Sequence, residues 1–184
     1  MMRLFVAVSP PPDVLAELRS AMAVVRRAHP ELRWSRPTQW HLTLVFLGEV
    51  DDDTRADLVA RLGRVATRHP PMRLALHGAG RFGDRVLWTR VRGDLAPLRG
   101  LAASVRAAAG RAGIPVEERP YRPHLTLARG RDGTDLRPAV DALAAFVGST
   151  WTASELHLVC SHLGAGPDRT SRYETLTSWP LTGS

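Results

Sequence analysis

At 184 residues, with 44% hydrophobic and 23% charged composition, the chain can bury one sizeable core or two small lobes sharing an interface, which excludes disorder as the default. Its formal charge is +7 and it contains no lysine, so ATP-dependent nucleic-acid ligation, Schiff-base catalysis and a P-loop are excluded, whereas arginine's planar guanidinium suits phosphate recognition. A single cysteine, Cys160, rules out an internal disulfide and a Cys-cluster zinc site; no apolar run reaches the roughly 18–20 residues of a membrane span, and nothing marks export, so the cytoplasm is expected.

Arg3 to Ser9 reads as a strand closed by three prolines, and from Asp13 to His29 the apolar residues Leu15, Leu18, Met22 and Val25 recur at helical spacing until Pro30. Trp40 to Leu47 alternates and predicts a strand ending at Gly48. The acidic run Asp51–Asp53 suits the start of a second helix, which Pro70 and Pro71 stop. Met72–His77 and Arg85–Val91 predict a hairpin around a glycine-rich turn. A third, alanine-rich helix begins at Asp94 or Leu95 and ends near Gly113. A strand follows at His124–Ala128, then a helix over Leu136–Val147 and two closing strands, Trp151–Leu163 and Arg172–Leu181. Cys160 shares the phase of Leu156 and Leu158 and is expected to be buried. Hairpins mixed with helices favour an α+β fold over a doubly wound sheet, and residues 1–184 read as a single domain without a linker.

The informative feature is a repeated tetrapeptide, His41-Leu42-Thr43-Leu44 and His124-Leu125-Thr126-Leu127, one copy in each half. On a strand, His and Thr at i and i+2 share one face while both leucines face the other. Each copy therefore buries two leucines and presents an imidazole beside a hydroxyl. Two imidazoles flanking one phosphate can take a proton from attacking water and give one to the leaving ribose oxygen, each transfer being worth about 10²–10⁴-fold. The hydroxyls of Thr43 and Thr126 can donate to the non-bridging oxygens, and no metal or other cofactor is required. A zinc reading is weaker, because two histidines leave tetrahedral positions empty and neither His77 nor His157 stands at ligand spacing.

Arg129 and Phe46 stand the same step past their histidines. Arg129 is a candidate to bind phosphate or stack on a base, and Phe46 to form the other face of a base sandwich. Strict alternation puts both on the leucine side, so each needs a strand end or a bulge to reach the cleft. Gly78-Ala79-Gly80-Arg81-Phe82-Gly83 matches the dinucleotide fingerprint, but the residues after it alternate like a strand rather than opening a helix, so a turn role is expected. Trp34, Arg36 and Tyr121 could rim the cleft, but structural packing is the expected role for each taken singly. His29, His69, His77, His157 and His162 read as ordinary strand, loop or helix-end residues.

With these motifs in order, the chain resembles the RNA 2′,3′-cyclic phosphodiesterase family, also called the 2′-5′ RNA ligase family, of the 2H phosphoesterases. The likeness covers Met2–Val8, Arg33–Pro37 leading into His41–Gly48, Gly80–Trp88, Arg122–Arg129, Ser161–Leu163 and Tyr173-Glu174, and is most specific at the paired His-x-Thr. It implies two pseudo-symmetric lobes whose antiparallel sheets line a shared central cleft, with helices outside. It also implies opening of a 2′,3′-cyclic phosphate on RNA to a 2′-phosphate, with reverse ligation forming 2′-5′ linkages. By analogy His41 is the proton donor and His124 the proton acceptor, although the pseudo-symmetry permits the reverse.

Two other functions remain open. One is a non-catalytic module binding RNA ends or nucleotides, which would not need an imidazole on each side; the other is a phosphodiesterase for a small cyclic-phosphate metabolite or a 2′-5′ oligonucleotide. The expected partner is RNA with a cyclic phosphate end, with no membrane and no obligate protein partner. A monomer is expected, because no heptad or long apolar helix face suggests self-association.

Overall fold

The computed structural model describes residues 1–184, the side chain of Asp168 excepted. Its elements run β1 (Met2–Val8), α1 (Pro12–Ala28), β2 (Arg33–Trp34), β3 (Leu42–Val50), α2 (Asp52–Ala66), β4 (Met72–Phe82), β5 (Val86–Gly93), α3 (Leu95–Arg111), β6 (His124–Arg129), α4 (Arg137–Ala142), β7 (Trp151–Ala153), β8 (Glu155–His162) and β9 (Arg172–Pro180). They build two antiparallel sheets, one ordered β3-β1-β8-β9 and the other β2-β6-β5-β4-β7. This is the expected α+β architecture.

Local chemistry accounts for the helices. Proline opens α1, Asp13 lies in its first turn and Arg26 and Arg27 in its last, each on the favourable side of the helix dipole. Asp51 caps α2 by accepting the Thr54 backbone N–H at 2.8 Å, a contact worth about 0.5–2 kcal/mol. Helical spacing turns Val14, Leu18, Met22 and Val25 of α1, and Leu98, Leu101, Val105 and Ala109 of α3, into one continuous core with the sheets. α3 packs on β3 in one sheet and on β4 in the other, so one helix backs both halves of the molecule.

The two sheets exchange chain. Trp151–Ala153 pairs with β4 in the five-stranded sheet, and from Glu155 the chain pairs with β1 and β9 in the other. The expected single strand Trp151–Leu163 is therefore two, broken at Ser154. The residue pattern carries the reason: Trp151 and Ala153 are buried, Ser154 and Glu155 are both exposed, and burial resumes at Leu156, Leu158 and Cys160. The alternation slips by one residue where the strand changes sheets.

Other boundaries also differ from expectation. The expected strand Trp40–Leu47 runs Leu42–Val50, because Gly48, at φ 70, continues the pairing as part of an irregularity instead of ending it. The expected helix Leu136–Val147 stops at Ala142, because the Phe146 carbonyl accepts the Gly78 N–H and the Gly148 N–H donates to the Leu76 carbonyl, which draws the chain along β4. The short β2 joins the edge of β6 and has no counterpart in the sequence expectation. The hairpin strands extend to Phe82 and start at Val86, so Gly78 and Gly80 lie within β4 and not in the turn.

Candidate active site

His41 stands one residue before β3, which carries Thr43, whereas His124 and Thr126 both lie on β6. β3 and β6 approach to within 8 Å between Cα atoms. The segment between β2 and β3 straps the halves together: the Ser35 N–H donates to the Leu127 carbonyl at 2.8 Å, and Gln39 Nε2 donates to the Ser171 carbonyl at 2.8 Å. This strap delivers His41 to the start of β3, while His124 opens β6. Leu42, Leu125 and Leu127 are fully buried, Leu44 is nearly so, and His41, Thr43, His124 and Thr126 are half-buried. The expected division of faces is what is observed.

The imidazoles are held alike. His124 Nδ1 donates to the Arg122 carbonyl two residues back at 2.6 Å, and His41 makes the corresponding bond to the Gln39 backbone. This fixes the tautomer and leaves Nε2 as the working nitrogen. The Thr43 hydroxyl lies 2.8 Å from His41 Nε2. Burial pushes the His41 pKa down to about 4, the Gln39 bond opposes this, and the nearby His124 lowers it further. His124 is lowered by burial too, with the Arg122 bond opposing and the Arg129 guanidinium adding to the depression. Each ring thus feels a charge from beyond its own tetrapeptide, and His41 feels His124 itself.

Both strands bulge at the second leucine. Ala7 pairs with Thr43 and Val6 with Val45, so Leu44 is the extra residue; Trp88 pairs with Thr126 and Leu87 with Ala128, so Leu127 is its equivalent. The bulge shifts the phase, and Phe46 and Arg129 emerge on the same face as the histidines, the condition that strict alternation denied them. Phe46 is 66% exposed, unusual for a phenylalanine. Arg129 is exposed, and its charge is felt by His124 in one sheet and by Tyr173 in the other.

Aromatic walls surround the histidines, and sequence reasoning did not single them out. Phe5 stacks on His41 with centroids 4.7 Å apart, and Tyr173 meets the same imidazole edge-on at 5.2 Å. Phe82 and Trp88 meet His124 edge-on at 5.0 and 6.0 Å. The available signal was Phe5, which alternation places opposite Leu4, Val6 and Val8; it packs with Ala7, Val159 and Tyr173 in a small cluster apart from the main core. Trp34 and Tyr121 pack against the main core, the structural role expected for each over a place at the rim, and the Trp34 indole N–H donates to the His29 carbonyl at 2.9 Å. Arg36 precedes the turn at Pro37–Gln39. Among the described residues, no group of three or more His, Cys, Asp or Glu side chains is placed to hold a metal ion, and no helix is long and apolar enough to cross a membrane.

Comparison with known proteins bears on this geometry. The family model of the 2′-5′ RNA ligase superfamily matches residues 10–165. An RNA 2′,3′-cyclic phosphodiesterase of Escherichia coli is 33% identical over 184 residues, covering 98% of this chain and 97% of the relative. One from Thermus thermophilus is 36% identical over 172 residues, covering 88% and 83%. The chain spans 48% of the length of a third, from Geobacillus stearothermophilus, at 30% identity. Among solved structures, a protein of Thermus thermophilus superposes with a TM-score of 0.80 at 31% identity over 100% of both chains. The apo form of E. coli LigT superposes at 0.77 and 29% identity over 98% of both. The fold, the paired motif and these similarities agree: the chain belongs to the 2′-5′ RNA ligase superfamily.

Proposed function

We propose that this protein hydrolyses RNA 2′,3′-cyclic phosphate ends to 2′-phosphates, using His41 and His124 as an acid–base pair without a metal ion. The observation that carries the reading is that two imidazoles, one brought by each sheet at strands that approach to within 8 Å between Cα atoms, are each held by a backbone hydrogen bond two residues back and lie near enough that His124 lowers the His41 pKa. Supporting it, the relatives named above are RNA 2′,3′-cyclic phosphodiesterases, and one solved structure of E. coli LigT, 29% identical, holds 3′-AMP.

In the reaction, His124 Nε2 takes the proton of the attacking water as the new P–O bond forms. The P–O3′ bond breaks, and a protonated His41 gives its proton to O3′, leaving a 3′-hydroxyl and a 2′-phosphate. Thr43 and Thr126 donate to the non-bridging oxygens as charge accumulates there. Both imidazoles are neutral at pH 7 in the free protein, and the bound phosphate favours the protonated form of the one that acts as acid. Arg129 adds fixed positive charge, and Phe46, exposed beside Phe5 at 6.0 Å between centroids, offers a base a stacking face. With a ribose 5′-hydroxyl in place of water, the same bond changes form a 2′-5′ linkage. The reading carries with it a monomeric, cofactor-free enzyme of the cytoplasm whose partner is an RNA end.

The test is a panel of cyclic-phosphate substrates, mononucleotide and oligonucleotide, incubated in excess EDTA, with the product phosphate located by phosphorus NMR. Turnover to 2′-phosphates is expected. Tight binding without product would make the protein a binding module, and activity that vanishes with EDTA would contradict the metal-free mechanism.

A further inference from the structure

The open face of the five-stranded sheet continues past His124, and its charge is not absorbed by the site described above. Pairing sets Arg90 opposite His124 across β5 and β6, and His77 opposite Arg90 across β4 and β5, so His124, Arg90 and His77 form one row on one face. Arg92 follows Arg90 at i+2 on the same face, about 6.6 Å along the strand. The opposite face of these strands is core: Leu74, Leu76, Leu87, Thr89 and Val91 are all buried, whereas Arg90 and Arg92 are exposed.

Arg90 is held in place. Its Nε donates to the Ala79 carbonyl at 3.0 Å and its guanidinium lies 5.3 Å from the centroid of the Trp88 ring, whose indole borders His124. Among the described residues neither Arg90 nor Arg92 forms an ion pair. The carboxylate of Asp94, two residues further along, accepts the Arg73 backbone N–H at 2.7 Å. His77 lies close enough to both guanidiniums that each lowers its pKa, after burial, and its Nδ1 is walled in without a hydrogen-bond partner. Two guanidiniums and a partly buried imidazole are thus gathered beside His124, and among the described residues neither guanidinium has a carboxylate partner, a surface that attracts anions.

We propose that Arg90 and Arg92, beside His77, form a second anion subsite for the phosphate on the 5′ oxygen of the nucleotide whose cyclic phosphate is opened. The inference rests on the hydrolase reading, which sets the reacting phosphate at His124. The step from His124 through Arg90 to Arg92 leads away from that phosphate along the sheet, as the next phosphate of a strand would. Two sources supply the same chemistry: the internucleotide phosphodiester of an RNA chain, or a 5′-monophosphate on a single nucleotide. A planar, pre-positioned guanidinium suits either.

The test compares wild type, Arg92→Gln and the double variant Arg90→Gln/Arg92→Gln on three substrates: adenosine 2′,3′-cyclic phosphate, its 5′-phosphorylated form, and the dinucleotide ApA ending in a 2′,3′-cyclic phosphate. The wild type should favour a 5′-phosphate in kcat/KM by about tenfold, the scale of a charge-assisted hydrogen bond. In the variants this ratio should collapse toward one, and the dependence of log KM on log salt for the dinucleotide should become shallower by about 0.7 for each phosphate no longer neutralised. Preference confined to the phosphorylated mononucleotide would name a 5′-monophosphate as ligand; preference shared by the dinucleotide would name the RNA chain. An unchanged ratio, or an equal fall on all three substrates, would overturn the subsite and leave the hydrolase reading standing. A wild-type protein inert toward all three would overturn both.

Discussion

An imidazole that must act as acid or base near neutrality is usually expected to titrate close to its ordinary value of about 6.5. Here both candidates lie lower, His41 at about 4, and burial is the leading cause for each. A lowered value means the neutral form is favoured, so in the free protein the productive pairing of one charged and one neutral ring is most populated below pH 6.5. The kcat/KM profile is therefore expected to peak on the acid side of 6.5 and fall toward neutral pH. A bound phosphate's negative charge raises both values, so the kcat profile should peak at higher pH than that of kcat/KM. Initial rates across pH 4–9 at saturating and limiting substrate check this; coincident optima at or above pH 7 would contradict it. At this scale the sequence was most legible. The duplicated His-x-Thr pattern named His41, Thr43, His124 and Thr126 because alternation on a strand is a local rule. The aromatic walls Phe5, Phe82, Trp88 and Tyr173 come from four strands, and no local rule brings them together.

At the scale of the strand, the bulges mattered more than the propensities. Period-two alternation located most of the strands and which residues they bury, but a bulge costs only one residue of phase and leaves no separate mark in composition. That is why alternation alone sets Phe46 and Arg129 on the leucine side, the bulge each needs to reach the cleft being visible only in the pairing, and why composition does not mark the slip at Ser154 as a change of sheet. The glycines of β4 are a similar case. Gly78, at φ 53, sits in the irregularity between His77 and Gly80, where the buried Thr89 hydroxyl donates to the Gly78 carbonyl at 2.8 Å. Gly80 is required for another reason: a Cβ there would lie 2.5 Å from the Trp88 ring. Because Trp88 packs on Phe82 at 4.9 Å and both border His124, pushing the indole aside disturbs the floor of the site. Gly80→Val is expected to destabilise the fold by about 1–3 kcal/mol, as overpacking does, and to lower turnover as well. Thermal unfolding and kcat measured on one preparation check both; a variant with wild-type midpoint and rate would refute this role for the glycine.

Over the whole molecule, the arrangement amounts to two sheets that each lend one imidazole to a shared cleft, backed by a helix that touches both. The α+β class and the order of the elements are readable from spacing except for the short β2 and the division of β7 from β8, whereas the exchange of chain between sheets depends on pairing between distant segments. Glu17 of α1 provides one such tie, its carboxylate accepting the Ser149 backbone N–H at 2.8 Å and the Ser149 hydroxyl at 2.6 Å. The catalytic account depends on the two histidines acting together, one from each sheet. Its most direct test is the single-turnover rate of cyclic-phosphate opening, in EDTA, for wild type, His41→Ala, His124→Ala and the double variant. Each single replacement is predicted to slow the chemical step by at least about 10²-fold, and the double variant to be slower than wild type by less than the product of the single losses, as for groups acting as a unit. A near-wild-type rate in either single variant would contradict the account.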